Sequence, residues 1–176
     1  ENLYKDKLEE PEKAINIYQK TLNFNPNYVY PYYNVGLTYL DDLKNYDRAE
    51  EYFLKAIKVD SLYPNSYNGL GALFNKKEEY EKAIEYYSKA IELAPDNDIF
   101  YNDRTTPYEE LEMYAEAEQD YLKAIELDPE YEDYYLFLAG LYKNNLEEPE
   151  KAIAQYLEIL KFNPGSSYAL NNTGTT

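Results

Sequence analysis

Residues 64–97 read PNSYNGLGALFNKKEEYEKAIEYYSKAIELAPDN, and the fold follows from this stretch. Tyr67, Leu70, Gly71 and Phe74 are spaced 3, 1 and 3, which places them on one face of a helix. Lys76 to Glu79 is a polar break. Tyr80, Ala83, Ile84, Tyr87, Ala90 and Ile91 then mark one face of a second helix. Pro95 stands just past its end, since a proline cannot continue the hydrogen-bond ladder. Small Gly71, Ala83 and Ala90 let the helices approach closely, and Tyr67, Phe74 and Tyr87 fill the space between them. One such pair cannot bury its own apolar face, so copies of it must stack.

The copies are present. Ala14, Ala49, Ala83, Ala117 and Ala152 recur at spacings of 35, 34, 34 and 35. Four residues after each stands an aromatic: Tyr18, Phe53, Tyr87, Tyr121 and Tyr156. Three further on come Thr21, Ala56, Ala90, Ala124 and Ile159, and five beyond those Pro26, Ser61, Pro95, Pro129 and Pro164. A second register runs through Gly36, Gly71, Thr105, Gly140 and Gly174 at spacings of 35, 34, 35 and 34. Several offsets recurring together over the whole chain are the signature of a repeat protein.

The order aromatic, two residues, Leu-Gly, two residues, aromatic, then Ala, aromatic, Ala and Pro resembles the tetratricopeptide repeat (TPR). The resemblance extends from about Leu8 to about Gly174, with Tyr32, Tyr67 and Tyr101 where the family usually has Trp. It implies an all-α fold, a right-handed superhelical solenoid of antiparallel helix pairs. The repeats divide a single array into a partial repeat at 1–28, whole repeats at 29–63, 64–97, 98–131 and 132–166, and a partial repeat at 167–176. The first part contains a second helix at about 10–24 and a remnant of a first helix, Asn2-Leu3-Tyr4-Lys5, which aligns with Gly140-Leu141-Tyr142-Lys143. Leu8 to Ile15 recurs letter for letter at 146–153. With both ends cutting through a repeat, the expectation is a piece of a longer array.

Composition narrows the chemistry. The chain has 176 residues, no His, Cys or Trp, and 24 Tyr. Without His or Cys there is no disulfide framework, no Cys/His zinc site and no Cys- or Ser–His-based nucleophile. The 34 acidic residues against 17 basic give a net charge of −17, which opposes binding to nucleic acid or to an anionic membrane. No run reaches the length of a membrane-spanning helix, and the N-terminus lacks the plan of a signal peptide. Residues 1–97 carry 12 basic and 17 acidic residues, and residues 98–176 carry 5 and 17. The second half therefore either favours a basic partner or owes its charge to solubility alone, and the sequence leaves both open. Acidic runs such as Glu78-Glu79-Tyr80-Glu81 stand at the starts of second helices, where they suit the helix dipole better than a metal.

Most of the tyrosines take repeat positions, which makes the aromatic richness chiefly packing. Seven are left over: Tyr4, Tyr30, Tyr33, Tyr134, Tyr135, Tyr142 and Tyr168. The resemblance implies that first helices line a concave face that takes an extended peptide or a partner helix. Side chains pointing away from the repeat core are then expected to form that groove. They are Tyr30, Tyr33, Asn34 and Leu37, then Asn65, Asn68, Ala72 and Asn75, then Ile99, Asn102, Thr106 and Glu109, and finally Tyr134, Phe137, Leu141 and Asn144. Asn can hydrogen-bond a peptide backbone in two directions, and Tyr offers contact area at low entropy cost. Chaperone-binding members of the family hold a C-terminal carboxylate with Lys, Arg and Asn. Here only Asn34 matches, so binding to acidic chaperone tails is not expected.

Two further expectations complete the reading. In Arg104-Thr105-Thr106-Pro107 an interior proline is expected to cost ~3 kcal/mol, and Thr106-Pro107-Tyr108-Glu109 has the form of a capping box. The first helix of that repeat is therefore expected to kink or restart at Pro107. Paired carboxylates could hydrolyse a glycoside, but here they lie in repeated surface registers with no phosphate loop or isolated constellation. The leading expectation is a protein- or peptide-binding scaffold without catalysis or cofactor. The alternative is head-to-tail self-assembly through the terminal helices, burying Tyr168 and Leu170.

Overall fold

The structure, a computed structural model, describes residues 11–174. The expected remnant of a first helix at Asn2 to Lys5 lies outside the described residues. Among them are ten α-helices and no strand. In order they are α1 (Pro11–Phe24), α2 (Val29–Leu37), α3 (Tyr46–Val59), α4 (Pro64–Lys76) and α5 (Tyr80–Leu93). Next come α6 (Asp98–Glu110), α7 (Tyr114–Leu127), α8 (Glu132–Asn144), α9 (Pro149–Phe162) and α10 (Ser167–Thr173). A π-helical turn, Thr38–Asp42, extends α2. The chain forms two compact units, one ending at Ala94 and the other beginning at Pro95.

Within each unit the alanine register is buried throughout, from Ala14 to Ala152, and so are the aromatics four residues on, Tyr18, Phe53, Tyr87, Tyr121 and Tyr156. These rings need room on the first helix. A β-carbon at Gly71 would lie 2.6 Å from the Tyr87 ring. One at Gly36 would lie 2.5 Å, and one at Gly69 2.6 Å, from the Phe53 ring, which thus lies against glycines of two successive first helices. No β-carbon normally approaches so near, so these are contacts that only glycine permits.

The fourth whole repeat corrects the second register. A β-carbon at Gly140 would meet nothing within 4 Å, whereas Ala139 is fully buried. Ala139, not Gly140, occupies the small position, and the spacing from Thr105 is 34 rather than 35. The extra residue of this repeat lies after the small position, at the end of the first helix. There Glu148 N–H donates to Tyr142 O at 2.8 Å and Leu146 N–H to Leu141 O at 3.1 Å, a widened turn. Repeat 29–63 does the same: Asn45 N–H reaches Tyr39 O and Leu43 N–H reaches Thr38 O. In the two 34-residue repeats the turn is tighter, with Glu79 N–H on Phe74 O and Met113 N–H on Tyr108 O. Every one of these turns passes through a non-glycine residue with positive φ, namely Lys44, Glu78, Glu112 or Glu147, each five residues before its alanine.

A second recurring device closes the turn between repeats. The hydroxyls of Tyr67, Tyr101 and Tyr135 donate to the carbonyls of Ser61, Pro95 and Pro129, each six residues back, at 3.1, 3.1 and 3.0 Å. These tyrosines follow one another at intervals of 34, so Tyr135 belongs to the repeat rather than to the leftover set.

Helix α6 runs unbroken through Pro107, contrary to the expected restart. Pro107 is buried at the position that Leu73 holds in the preceding repeat and Leu141 in the next. Thr106 stays within the helix, Thr105 Oγ1 donates to Asn102 O at 2.7 Å, and Leu111 N–H donates to Pro107 O at 3.2 Å. Packing and these bonds hold the helix on both sides of the missing donor, so the helix does not restart there. The same helix carries Arg104 where the other repeats have Val35, Leu70 and Leu138. Its guanidinium grips Asp120 of α7 in a bidentate pair at 2.7 and 2.8 Å and lies 5.3 Å from the Tyr108 ring centroid. Asp120 in turn stands where α3 and α5 carry Tyr52 and Tyr86. One repeat has thus exchanged an aliphatic–aromatic contact for a largely buried ion pair.

Gly71→Ala is expected to destabilise the chain by about 1–3 kcal/mol through overpacking against Tyr87. Gly140→Ala is expected to stabilise it by about 0.5–1 kcal/mol through helix propensity. Urea unfolding followed by circular dichroism checks both, and equal effects would return the small position to Gly140. Arg104→Leu alone leaves Asp120 buried without its partner and is expected to cost about 3 kcal/mol. Arg104→Leu combined with Asp120→Tyr restores the pairing of the neighbouring repeat and is expected to recover most of that loss in the same measurement.

Candidate partner-binding face

Counted from the small position of each first helix, the offsets −6, −3 and +1 keep some exposure in all four whole repeats, as do −7 and +5 at the helix ends. Six residues before it stand Tyr30, Asn65, Ile99 and Asp133; three before it stand Tyr33, Asn68, Asn102 and Leu136; one after it stand Leu37, Ala72, Thr106 and Gly140. The offsets −5, 0 and +2 are buried in all four. Helical geometry accounts for this, because −6, −3 and +1 share one stripe while −5, 0 and +2 point into the core.

In the first unit, α2 and α4 form this stripe. Tyr33 lies edge-on to Tyr63, with ring centroids 5.7 Å apart, and the Phe53 ring is 6.0 Å away. Asn65 Nδ2 donates to the Tyr63 hydroxyl at 3.1 Å. Tyr28 stacks on Tyr30 at 6.3 Å. Asn34 was expected in the groove but is 2% exposed, and its amide nitrogen donates to Tyr30 O at 2.8 Å within its own helix. It therefore offers no surface to a partner. The surviving cluster is aromatic and amide-bearing. Tyr63, which is not among the expected groove residues, belongs to it.

In the second unit, α6 and α8 form the stripe. Ile99 is 53% and Phe137 46% exposed, Thr106 is exposed, and Asn102 is half-buried. Tyr134 and Leu141 were expected here and are 3% and 1% exposed. The cause is the shifted register. With Ala139 as the small position, Tyr134 falls five before it, matching buried Pro31, Ser66 and Phe100 of the other repeats, and Leu141 falls two after it, matching Thr38, Leu73 and Pro107. Asp133, Leu136 and Gly140 stand in the places expected for Tyr134, Phe137 and Leu141. The interval of 34 between Tyr101 and Tyr135 is the signal that could have found this.

The acidic residues of this unit have structural work. The hydroxyl of Tyr121 donates to Glu109 at 2.6 Å, that of Tyr142 to Glu118 at 2.6 Å, and that of Tyr134 to Asp98. Glu132 accepts from Ser166 and from Asn163. Burial, and then the hydrogen bond to a carboxylate, pushes the Tyr121, Tyr134 and Tyr142 hydroxyls well above the usual tyrosine range, so they remain donors at any physiological pH. Among the described residues no three Asp or Glu side chains are grouped to hold a metal ion, and no helix is long and apolar enough to cross a membrane.

Comparison with known proteins agrees with this fold. A tetratricopeptide repeat model matches residues 64–97, and a second model of the same description matches 29–61 and 108–131. Comparison with curated protein sequences gave no match. Among solved structures, the chain is similar to MamA with a TM-score of 0.75 at 23% identity, covering 90% of this chain and 91% of that one. It is similar to YrrB, described as a TPR protein with an unusual peptide-binding site, with a TM-score of 0.70 at 23% identity over 90% and 80%. It is also similar to a thermophilic TPR protein of Thermus thermophilus, with a TM-score of 0.72 at 19% identity over 94% and 89%. Repeated helix pairs, buried small-residue registers and these matches together make the chain an all-α solenoid protein of the tetratricopeptide repeat family.

Proposed function

We propose that this chain is a non-catalytic interaction scaffold that takes a peptide or a partner helix on its first helices. The observation behind the reading is the stripe of side chains that keeps its exposure in every whole repeat while the core-facing offsets beside it are buried. In the first unit the stripe holds Tyr30, Tyr33, Leu37, Asn65, Asn68 and Ala72; in the second, Ile99, Asn102 and Thr106 remain of the expected set, with Phe137 exposed beside them. Rigid tyrosines with adjacent amides suit a peptide, whose backbone needs both donors and acceptors. The peptide-binding site described for YrrB supports the same use of a related fold. The excess of carboxylates beyond residue 98 favours a basic partner.

The reading is tested by affinity capture with the chain and with a Tyr30→Ala, Tyr33→Ala, Asn68→Ala variant. Partners are expected to be lost from this variant and kept by a Leu54→Ser, Leu122→Ser control on the exposed side of second helices; equal capture by all three would remove the face from consideration. A peptide ending in an acidic chaperone tail is expected to bind no tighter than about 100 μM by calorimetry, since no cationic clamp is present. A nanomolar to low-micromolar complex would overturn that expectation.

A second reading, head-to-tail self-assembly, has one observation in its favour. An apolar cavity of about 180 Å3 opens between α1 and the start of α2, lined by Ile17, Tyr18, Thr21, Tyr28, Tyr30 and Pro31. An exposed apolar side chain of a second copy, such as Tyr168 of α10, would fill it. Light scattering over a concentration series discriminates: growth in mass that Tyr168→Ser abolishes supports assembly, and a constant monomer mass excludes it.

A further inference from the structure

The exposed stripe changes character in the second unit. Phe137 stands two residues before the small position, where the other repeats carry Asn34, Gly69 and Asp103. Its ring lies 6.3 Å from that of Tyr121, and nearly half of it faces solvent. Ile99 replaces Tyr30 and Asn65, and Leu136 replaces Tyr33, Asn68 and Asn102. Two bonds bring these residues together. Asp98, the neighbour of Ile99, accepts from Tyr134, one turn before Phe137. Tyr121, on which Phe137 rests, donates to Glu109 of α6. The result is an apolar patch with no counterpart in the tyrosine and amide cluster of the first unit.

The charge around this patch is mostly negative. Asp133 and Glu110 are exposed on the same stripe, and Glu109 stands at its edge. Among the described residues of this unit, Arg104, Lys123, Lys151 and Lys161 are held in ion pairs with Asp120, Glu126, Glu148 and Glu158. Lys143 is exposed in the last turn of α8, as Glu110 is in the last turn of α6. An acidic segment would be repelled here, and a neutral one would gain only the apolar contact. A segment with both apolar anchors and cations gains from each.

We infer that the α6 and α8 face binds a cationic amphipathic helix of a partner protein, whose apolar side chains cover Ile99, Leu136 and Phe137 while its Lys or Arg residues meet Asp133 and Glu110. The inference rests on the reading of the first-helix stripe as the binding surface and names the partner class for its second half. The apolar anchors supply affinity and the carboxylates supply partner choice and encounter rate, because exposed charges are screened within about 10 Å at 0.1 M salt.

The probes are three synthetic helical peptides of one pattern, Leu/Lys, Leu/Glu and Ser/Lys, titrated into the whole chain by fluorescence anisotropy. Only Leu/Lys is expected to bind, and more weakly as salt rises. Ile99→Ser with Phe137→Ser is expected to weaken it by about tenfold or more, as for anchor residues of other interfaces. Asp133→Asn with Glu110→Gln is expected to weaken it severalfold and flatten the salt dependence. The Leu54→Ser, Leu122→Ser variant, altered on the exposed side of second helices, is expected to bind as the unaltered chain does. All these positions are at least partly exposed, and circular dichroism verifies that each variant folds. Equal binding of the Leu/Lys and Leu/Glu peptides, binding of Ser/Lys as tight as Leu/Lys, no binding of Leu/Lys, or no loss in the folded Ile99/Phe137 variant would each overturn the inference. Partner capture that depends on Tyr30, Tyr33 and Asn68 would still leave the broader reading standing.

Discussion

The first unit depends on the approach of one ring to one bare backbone. A second-helix aromatic, Phe53 or Tyr87, lies where a β-carbon on the facing first helix would be some 2.5 Å away. That contact fixes how near the two helices lie and which faces they turn toward each other, and so which residues remain outside. The exposed stripe is the remainder after this packing is satisfied, for any residue on the stripe leaves the contact untouched. A chain can therefore vary its stripe from tyrosine and asparagine to isoleucine and phenylalanine without altering the helix pair beneath it.

The two units meet the same geometric demand with different chemistry. In the first, the contact between helices is hydrocarbon and ring, as with Leu70 beside Phe74 and Tyr86. In the second, buried tyrosines find carboxylates, and Arg104 with Asp120 stands in for an aliphatic and an aromatic side chain. Replacing apolar contacts by buried charge adds little stability in itself, since desolvation offsets most of the attraction. Hydrogen-bonded pairs do require particular partners, however, and so resist slippage of one helix past another.

The fold was legible because its determinants are short-range and repeated. The alanine register and the aromatic four residues later are visible without any structure, and every member proved buried. The stripe was less legible because its assignment hangs on where a one-residue length difference is placed. Placing it before Gly140 turned Tyr134 and Leu141 outward on paper; the chain places it after Ala139, and both residues are core. Asn34 misled for another reason: its amide satisfies a carbonyl of its own helix, a choice that spacing cannot reveal. Pro107 looked like an interruption because the propensity rules treat a proline by itself. Here it fills a buried position that Leu73 and Leu141 fill elsewhere, and tertiary packing outweighs the lost hydrogen bond.

The widened turn at the end of α2 and of α8 has a consequence for how such a chain can change in length. Asn45 and Glu148 close their turns over one more residue than Glu79 and Met113 do, yet Ala49 and Ala152 are buried just as Ala83 and Ala117 are. The gain or loss of a single residue is absorbed locally, and nothing downstream changes register. This joint is where the gene can tolerate an in-frame codon insertion or deletion, whereas the same event between Tyr67 and Phe74 would rotate half the repeat out of its contacts. Length polymorphism in this chain should collect just after the first helices, in the few residues that lead to each left-handed turn.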